Sequence, residues 1–316
     1  MNRKCLKICS KIIVIIISIL SLYYLVPNKA NGFPIYAQQG YENPREATGR
    51  IVCANCHLAQ KPISIEIPKS VLPNSIFEAK VSIPYNIESK QILGNGKEGT
   101  LNTGAIIILP EGFQLAPKNL LNEELKSKTK NFYIQPYSTL KNNILVVGPI
   151  TGKNNQEIIF PILSPDPNSD KNVHFLKYPI YVGANRGRGQ IYPTGDKSNN
   201  NTITSNSAGK ILEIVSNTQE QLSIKIEKND GEIVNQEIPK ILKLIVKEGD
   251  NIEINQILTN DPNVGGFGQD ETEIVLQSPT RIKGMIIFFI LVTFAQIFFV
   301  LKKKQWEKVQ AAEMNF

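Results

Sequence analysis

The residues best equipped for chemistry are Cys53-Ala-Asn-Cys-His57. Two thiols three positions apart, followed at once by an imidazole, have the spacing of c-type haem attachment. The thiols add to the porphyrin vinyl groups, and the adjacent His57 is then held under the iron as proximal ligand. The motif therefore predicts one covalently bound haem on Cys53 and Cys56. Other chemistries fit these residues less well. A zinc site needs four ligands, and once Cys5 and Cys9 are assigned to a leader the chain keeps only two Cys and two His, with His57 too close to Cys56 to coordinate comfortably beside it. A thioredoxin-like dithiol needs no His and sits at a βα junction, whereas this segment lies in a β-rich chain. A disulfide across two residues is strained and closes almost no loop.

The sixth iron position is narrower than usual. Methionine is the common partner, but the three Met residues are Met1 in the leader, Met285 in an apolar span and Met314 beyond it. The remaining donors are His174, a Lys, a Tyr and the α-amine of a processed N-terminus, or the position has no protein ligand. An α-amine with an unperturbed pKa of about 7.7–8.0 can be deprotonated for ligation at little cost near neutrality. Residue types alone leave these alternatives open. No nucleophile–base–acid constellation accompanies the haem motif. Gly94-Asn-Gly-Lys97 lacks the spacing of a phosphate loop. Ala184-Asn-Arg-Gly-Arg-Gly189 imitates an RNA-binding repeat but occurs once, as expected of a loop lining something.

The elements that must position this motif are bounded by the two ends of the chain. The 316 residues carry a formal charge of +7, which invites a nucleic-acid reading. Residues 1–32 hold five basic and no acidic residues, and 302–316 hold four Lys and two Glu, leaving 26 basic against 26 acidic residues in 33–301. The body is neutral, so nucleic acid is excluded as a partner. Arg3, Lys4, Lys7 and Lys11 precede the apolar run Ile12 to Val26, and small residues stand at Ala30 and Gly32. This is the pattern of a secretory signal over 1–32, with Phe33 as the mature N-terminus. Gly284 to Leu301 is 18 residues with only Thr293 and Gln296 polar, about 27 Å as a helix, and reads as a membrane span. Lys302, Lys303 and Lys304 follow it, so the positive-inside rule puts the tail on the cytoplasmic-equivalent side and the body across the membrane.

Between the ends, short β-branched runs such as Ala105 to Leu109, Ile144 to Val147 and Ile158 to Leu163 are punctuated by Pro, Gly and Asn. They read as strands of a sandwich. One helix is expected at Asn43-Pro-Arg-Glu46, where a cap residue, a first-turn Pro and a Glu three residues after the cap coincide just ahead of Cys53. The polar stretch 198–208 marks a boundary. Beyond it, Lys210 to Glu227 and Glu232 to Leu258 alternate as a smaller β-module. The Gly-rich Asn263 to Gln269 closes that module before a last strand near Glu273 to Leu276, so the small module is inserted in the large one. The chain divides into a leader (1–32), a large haem domain (33–200), a small β-domain (201–261), a return to the large domain (262–283), a span (284–301) and a tail (302–316).

Taken together, Phe33-Pro-Ile-Tyr-Ala-Gln-Gln-Gly40, Glu42 through the haem motif to His57, Phe160-Pro-Ile-Leu-Ser-Pro-Asp-Pro167, Val173 to Val182, Asn185-Arg-Gly-Arg-Gly-Gln-Ile-Tyr-Pro193, Pro262-Asn-Val-Gly-Gly-Phe-Gly268 and the Lys302 to Phe316 tail resemble the cytochrome f family end to end through the mature chain. The resemblance implies a mainly β fold, an elongated large β-sandwich with an inserted small β-domain and one C-terminal transmembrane helix. It implies that the α-amine of Phe33 is the sixth ligand, here on Phe where the family commonly has Tyr, so that His174 takes a structural or surface role. A buried water chain would fall on Gln91, Asn185, Gln190, Asn200 and the backbone near Ala59. The implied function is electron relay within the cytochrome b6f complex of the thylakoid, plastid or cyanobacterial, with the large domain in the lumen. The chain itself is then not an enzyme, although the whole complex acts as plastoquinol–plastocyanin reductase. The implied partners are cytochrome b6, the Rieske iron–sulfur protein and other subunits, plastocyanin or a small soluble c-type cytochrome, and membrane lipid. Plant members carry a Lys-rich loop early in the small domain. Here Ser216-Asn-Thr-Gln-Glu-Gln221 has no Lys, and Glu98 stands in place of a familiar Lys. Lys90, Lys97, Arg186 and Arg188 remain as docking cations, so electrostatic steering of the partner is expected to be weak.

Overall fold

The computed structural model describes residues 34–151, 155–217 and 221–314. The leader and Phe33 lie outside the described residues, as does 218–220 of the Lys-free loop.

Two sheets build the large part. One has six strands in the order Ser70–Val71, Gly266–Leu276, Lys177–Arg186, Thr103–Ile108, Lys141–Ile150 and Ile134–Ser138. The other has four, in the order Ser64–Glu66, Ile76–Ser82, Glu157–Leu163 and Gln114–Leu115. Ladders are antiparallel except where Ser70–Val71 runs parallel to Gly266–Leu276. Val81, Ile158 and Phe160 from the four-stranded sheet share one buried cluster with Ile107, Leu145, Val182 and Ile274 from the six-stranded sheet. The expected sandwich is therefore present. Ile76–Ser82 shows its logic, with every second residue buried, as the two-residue period of a strand with one wet face requires.

Thr103–Ile108 breaks that alternation, with Thr103 to Ile107 all buried. Ala105 and Ile107 face the sandwich interior, whereas Ile106 joins a second cluster with Ile51, Tyr137, Ile144, Val146 and Phe267. Ala37, Cys53 and Ala54 pack on this second cluster, so the outer face of the six-stranded sheet is the floor of the haem motif.

Strands Lys177–Arg186 and Gly266–Leu276 pair directly, Arg186 opposite Gly266. The chain between them makes a separate four-stranded sheet, ordered Ile233–Pro239, Gln221–Glu227, Gly209–Ser216 and Asn251–Ile252, over its own core of Ile211, Ile224, Ile226, Ile238 and Leu258. The last large-sheet strand begins at Gly266 rather than near Glu273. The Gly-rich stretch joins the ladder because Gly268 lies so close to Lys61 O, 2.1 Å from where a Cβ would stand, that no larger residue fits.

A 35-residue helix, Pro279–Glu313, ends the described chain, capped by Ser278 Oγ accepting from Arg281 N. It is long and apolar enough to cross a membrane, and its apolar window is wholly exposed. It continues through Lys302–Lys304, which are good helix formers.

Candidate haem centre

The haem motif is held by a short excursion from the sheet. Residues 43–49 are not the expected helix. Arg45 pairs with Ile51 as an antiparallel bridge around a turn in which Gly49 N donates to Glu46 O at 2.9 Å. Gly49 has φ +87°, a conformation that favours glycine and leaves the helical region. Burial of Ile51 and Val52, each at most 2 % exposed, outweighs the local capping chemistry and draws the segment extended. Gln269 fixes the turn from the neighbouring strand, its Oε1 accepting from Ile51 N and its Nε2 donating to Gly49 O.

Val52–Asn55 then forms one 3-10 turn, and His57 N donates to Cys53 O at 3.0 Å, which folds the motif into a tight loop. The far side is closed by the 188–191 segment, with Gln190 N donating to Cys56 O at 2.7 Å. Gly189 allows this approach, since its Cβ would stand 3.0 Å from Cys56 O. Both Cys are free. Burial pushes the Cys53 thiol up to about 12 and the Cys56 thiol upward, so both are neutral thiols at physiological pH.

His57 is the centre of the geometry. Asn185 Nδ2 lies 2.9 Å from its Nε2, while its Nδ1 is buried without a partner. Burial lowers the imidazole to about 4, so the ring is neutral at physiological pH. A neutral imidazole ligates through the nitrogen that carries no proton, so Nδ1 is left for an axial bond when the Asn185 amide turns its Oδ1 to the ring and Nε2–H donates to it. The residues present thus fit a c-type haem. Among the described residues no group of three or more His, Cys, Asp or Glu could hold a bare metal ion, in keeping with the poor fit to zinc.

The other expected polar residues cluster around the backbone of one residue, Arg188. Arg188 N donates to Gln91 Oε1 at 2.8 Å, and Arg188 O accepts from Gln190 Nε2 at 3.1 Å and from Asn200 Nδ2 at 3.0 Å. Gln190 Oε1 accepts from Leu58 N, next to His57. Gln91, Gln190 and Asn200 are buried, and Asn200 Oδ1 has no partner. Asn199 is exposed and bonds the Arg188 guanidinium instead. Asn263, which sequence reasoning missed, accepts from Asn200 Nδ2 at 3.3 Å.

The docking set needs one correction. Arg186 is 1 % exposed, and its guanidinium donates to Pro62 O and Pro84 O, so it cannot meet a partner. Strand alternation is the reason. Asn185 turns to His57, so Arg186 turns to the opposite face. Lys90 and Lys97 are exposed, Lys90 lying 3.6 Å from Glu98. Arg188 is half-buried, bonding Ile92 O, Asn199 Oδ1 and Tyr192 OH.

The residue after Phe33 begins a helix, Ile35–Gly40, that sequence reading did not foresee. His174 lies exposed beside Tyr178, its backbone N–H donating to the Tyr178 hydroxyl.

Comparison with known proteins gives the family. The family model described as Apocytochrome F, N-terminal, matches residues 33–187, and that described as Apocytochrome F, C-terminal, matches 199–316. Cytochrome f of Gracilaria tenuistipitata var. liui is 70 % identical over 304 residues, 96 % of this chain and 98 % of that protein. Cytochrome f of Porphyra purpurea is 65 % identical over 302 residues (96 % and 94 %), and that of Emiliania huxleyi 60 % identical over 292 residues (92 % and 94 %). With a haem-attachment motif seated on the floor of a β-sandwich and the two family models matched over residues 33–187 and 199–316, the chain belongs to the cytochrome f family.

Proposed function

We propose that this member of the family, a haem subunit of the cytochrome b6f complex in photosynthetic electron transport, takes single electrons from a Rieske iron–sulfur protein and passes them to plastocyanin or a small soluble c-type cytochrome. The observation that carries the reading is His57, with one ring nitrogen bonded to Asn185 and the other buried without a protein partner. When bound, the haem supplies reversible one-electron oxidation of its iron. Cys53 and Cys56 would hold the porphyrin by thioether bonds, and His57 with the α-amine of Phe33 would hold the iron, which supports reading the chain as a relay rather than an enzyme. Gln91, Asn185, Gln190 and Asn200, joined by Asn263, form a polar seam running from His57 that can hold ordered water. Lys90, Lys97 and, by its exposed part, Arg188 are the cations available for docking.

The helix Pro279–Glu313 anchors the chain in the thylakoid membrane against lipid and cytochrome b6. Its lysines lie on the stromal or cytoplasmic side, and residues 33–283 in the lumen, divided as 33–200 and 262–283 around an inserted 201–261. The test is haem staining on denaturing gels together with N-terminal sequencing and spectra. Cys53→Ala/Cys56→Ala should abolish covalent haem, and the wild type should begin at Phe33 with a low-spin haem indifferent to CO. A high-spin, CO-binding haem or a different N-terminus would overturn the assignment.

A further inference from the structure

The N-terminal helix is only six residues long, far below the length at which an isolated helix persists in water, so its position depends on what holds it to the sheet. Tyr137 does most of the holding. Its hydroxyl lies 2.6 Å from Ala37 O, which also accepts from Tyr41 N at 3.0 Å, and 2.6 Å from Tyr41 O just past the helix end. The hydroxyl has one proton, shared between the two carbonyls. Gln38 answers from the helix, its Nε2 donating to Tyr137 O at 2.7 Å. The Tyr137 ring, 3 % exposed, sits in the cluster against which Cys53 and Ala54 pack. One side chain therefore ties the helix to the cluster on which the haem loop packs. Ala37 N donates to Pro34 O at 2.9 Å, so a single residue, Ala37, separates the phenol from Pro34, the covalent neighbour of Phe33. Burial pushes the phenol up to about 12, which keeps it a donor at physiological pH.

We infer that Tyr137 is a positioning residue for the axial amine: its hydroxyl pins the helix that begins beside Phe33 to the floor of the haem loop and so keeps the amine on the iron. The inference rests on the reading of the Phe33 amine as sixth ligand.

The test uses the haem-loaded full chain and the rate at which cyanide replaces the native sixth ligand of the ferric haem. Tyr137→Phe keeps the ring and removes the hydroxyl, and should speed cyanide entry about tenfold, the equivalent of one buried hydrogen bond. Gln38→Leu, which cuts a bond between the same helix and strand without touching the core, should give a smaller acceleration. Ile144→Val removes a methylene from the same cluster and serves as the structural control; it should lower the melting temperature without changing the cyanide rate. Wild-type rates in both Tyr137→Phe and Gln38→Leu overturn the inference, as does equal acceleration by Ile144→Val. Should Tyr137→Phe fail to fold, Gln38→Leu against Ile144→Val decides alone. Failure of the ligand assignment itself would be read first in the wild type, as a near-infrared charge-transfer band other than that of a histidine–amine pair.

Discussion

Asn185 and His57, 128 residues apart in sequence, meet with the amide nitrogen 2.9 Å from the imidazole Nε2. The bond is built by the last turns of the ladder. Asn185 pairs with Phe267 on one side and Gly104 on the other, so its backbone is fixed at the interior of a sheet and only its side chain could move. Outer partners of a metal-bound His orient the ring, and their loss typically costs about 10–100-fold in metal affinity or activity. Asn185→Leu should leave covalent haem unchanged by pyridine haemochrome assay. It should slow haem re-reduction after a flash about tenfold or more.

The pH dependence of the haem-free chain follows from the same imidazole. A folded-state value lowered from 6.5 to about 4 means that the folded chain favours the neutral ring, so its contribution is complete above pH 6.5 and is lost as pH falls toward 4. The loss amounts to about 3 kcal/mol. Urea unfolding of Cys53→Ala/Cys56→Ala should show it, and adding His57→Gln should flatten the curve through that window. An unchanged slope in the His57→Gln protein would reject the assignment.

Arg186 should behave as a structural residue. Its guanidinium serves Pro62 O and Pro84 O, burial lowers its proton affinity, and no carboxylate among the described residues forms an ion pair with it. Arg186→Lys keeps a charge but not the planar fork, and should cost about 1–3 kcal/mol by thermal unfolding. The rate constant for reaction with the soluble partner should not change, because a buried cation offers no contact.

Partner association should depend little on salt. Lys90 is offset by Glu98, and Arg188 is engaged with Ile92 O, Asn199 and Tyr192, which leaves Lys97 as the freest of the docking cations. Focused fields raise association rates by about 10–1,000-fold and vanish with ionic strength. Stopped-flow rates here should fall by less than about threefold between 50 and 300 mM salt. A steep decline would show a charged surface that these residues do not supply.

The haem motif was legible because attachment chemistry is local: two thiols and an imidazole must lie within five residues. The strands were legible wherever one face is buried, as in Ile76–Ser82. The helix expected at Asn43 was not, because a good cap sequence is worth less than burying Ile51 and Val52 a few residues later. Arg186 looked like a loop cation because glycines follow it. Only pairing with Gly266 and Thr103, which extends the strand to that position, turns its side chain inward. Tyr137 and Asn263 carry no motif. Their partners, Ala37 and Asn200, lie 100 and 63 residues away, and nothing local to either residue encodes the meeting.

Thr103–Ile108, buried on both faces, belongs to two interiors at once. Ala105 and Ile107 look into the sandwich while Ile106 looks toward the haem loop, with the three residues consecutive on one rigid ribbon. A change of volume on either side is transmitted through a backbone about one peptide thick. The sandwich interior and the floor of the haem motif therefore share a single mechanical partition, and a substitution chosen to adjust one will be answered by the other.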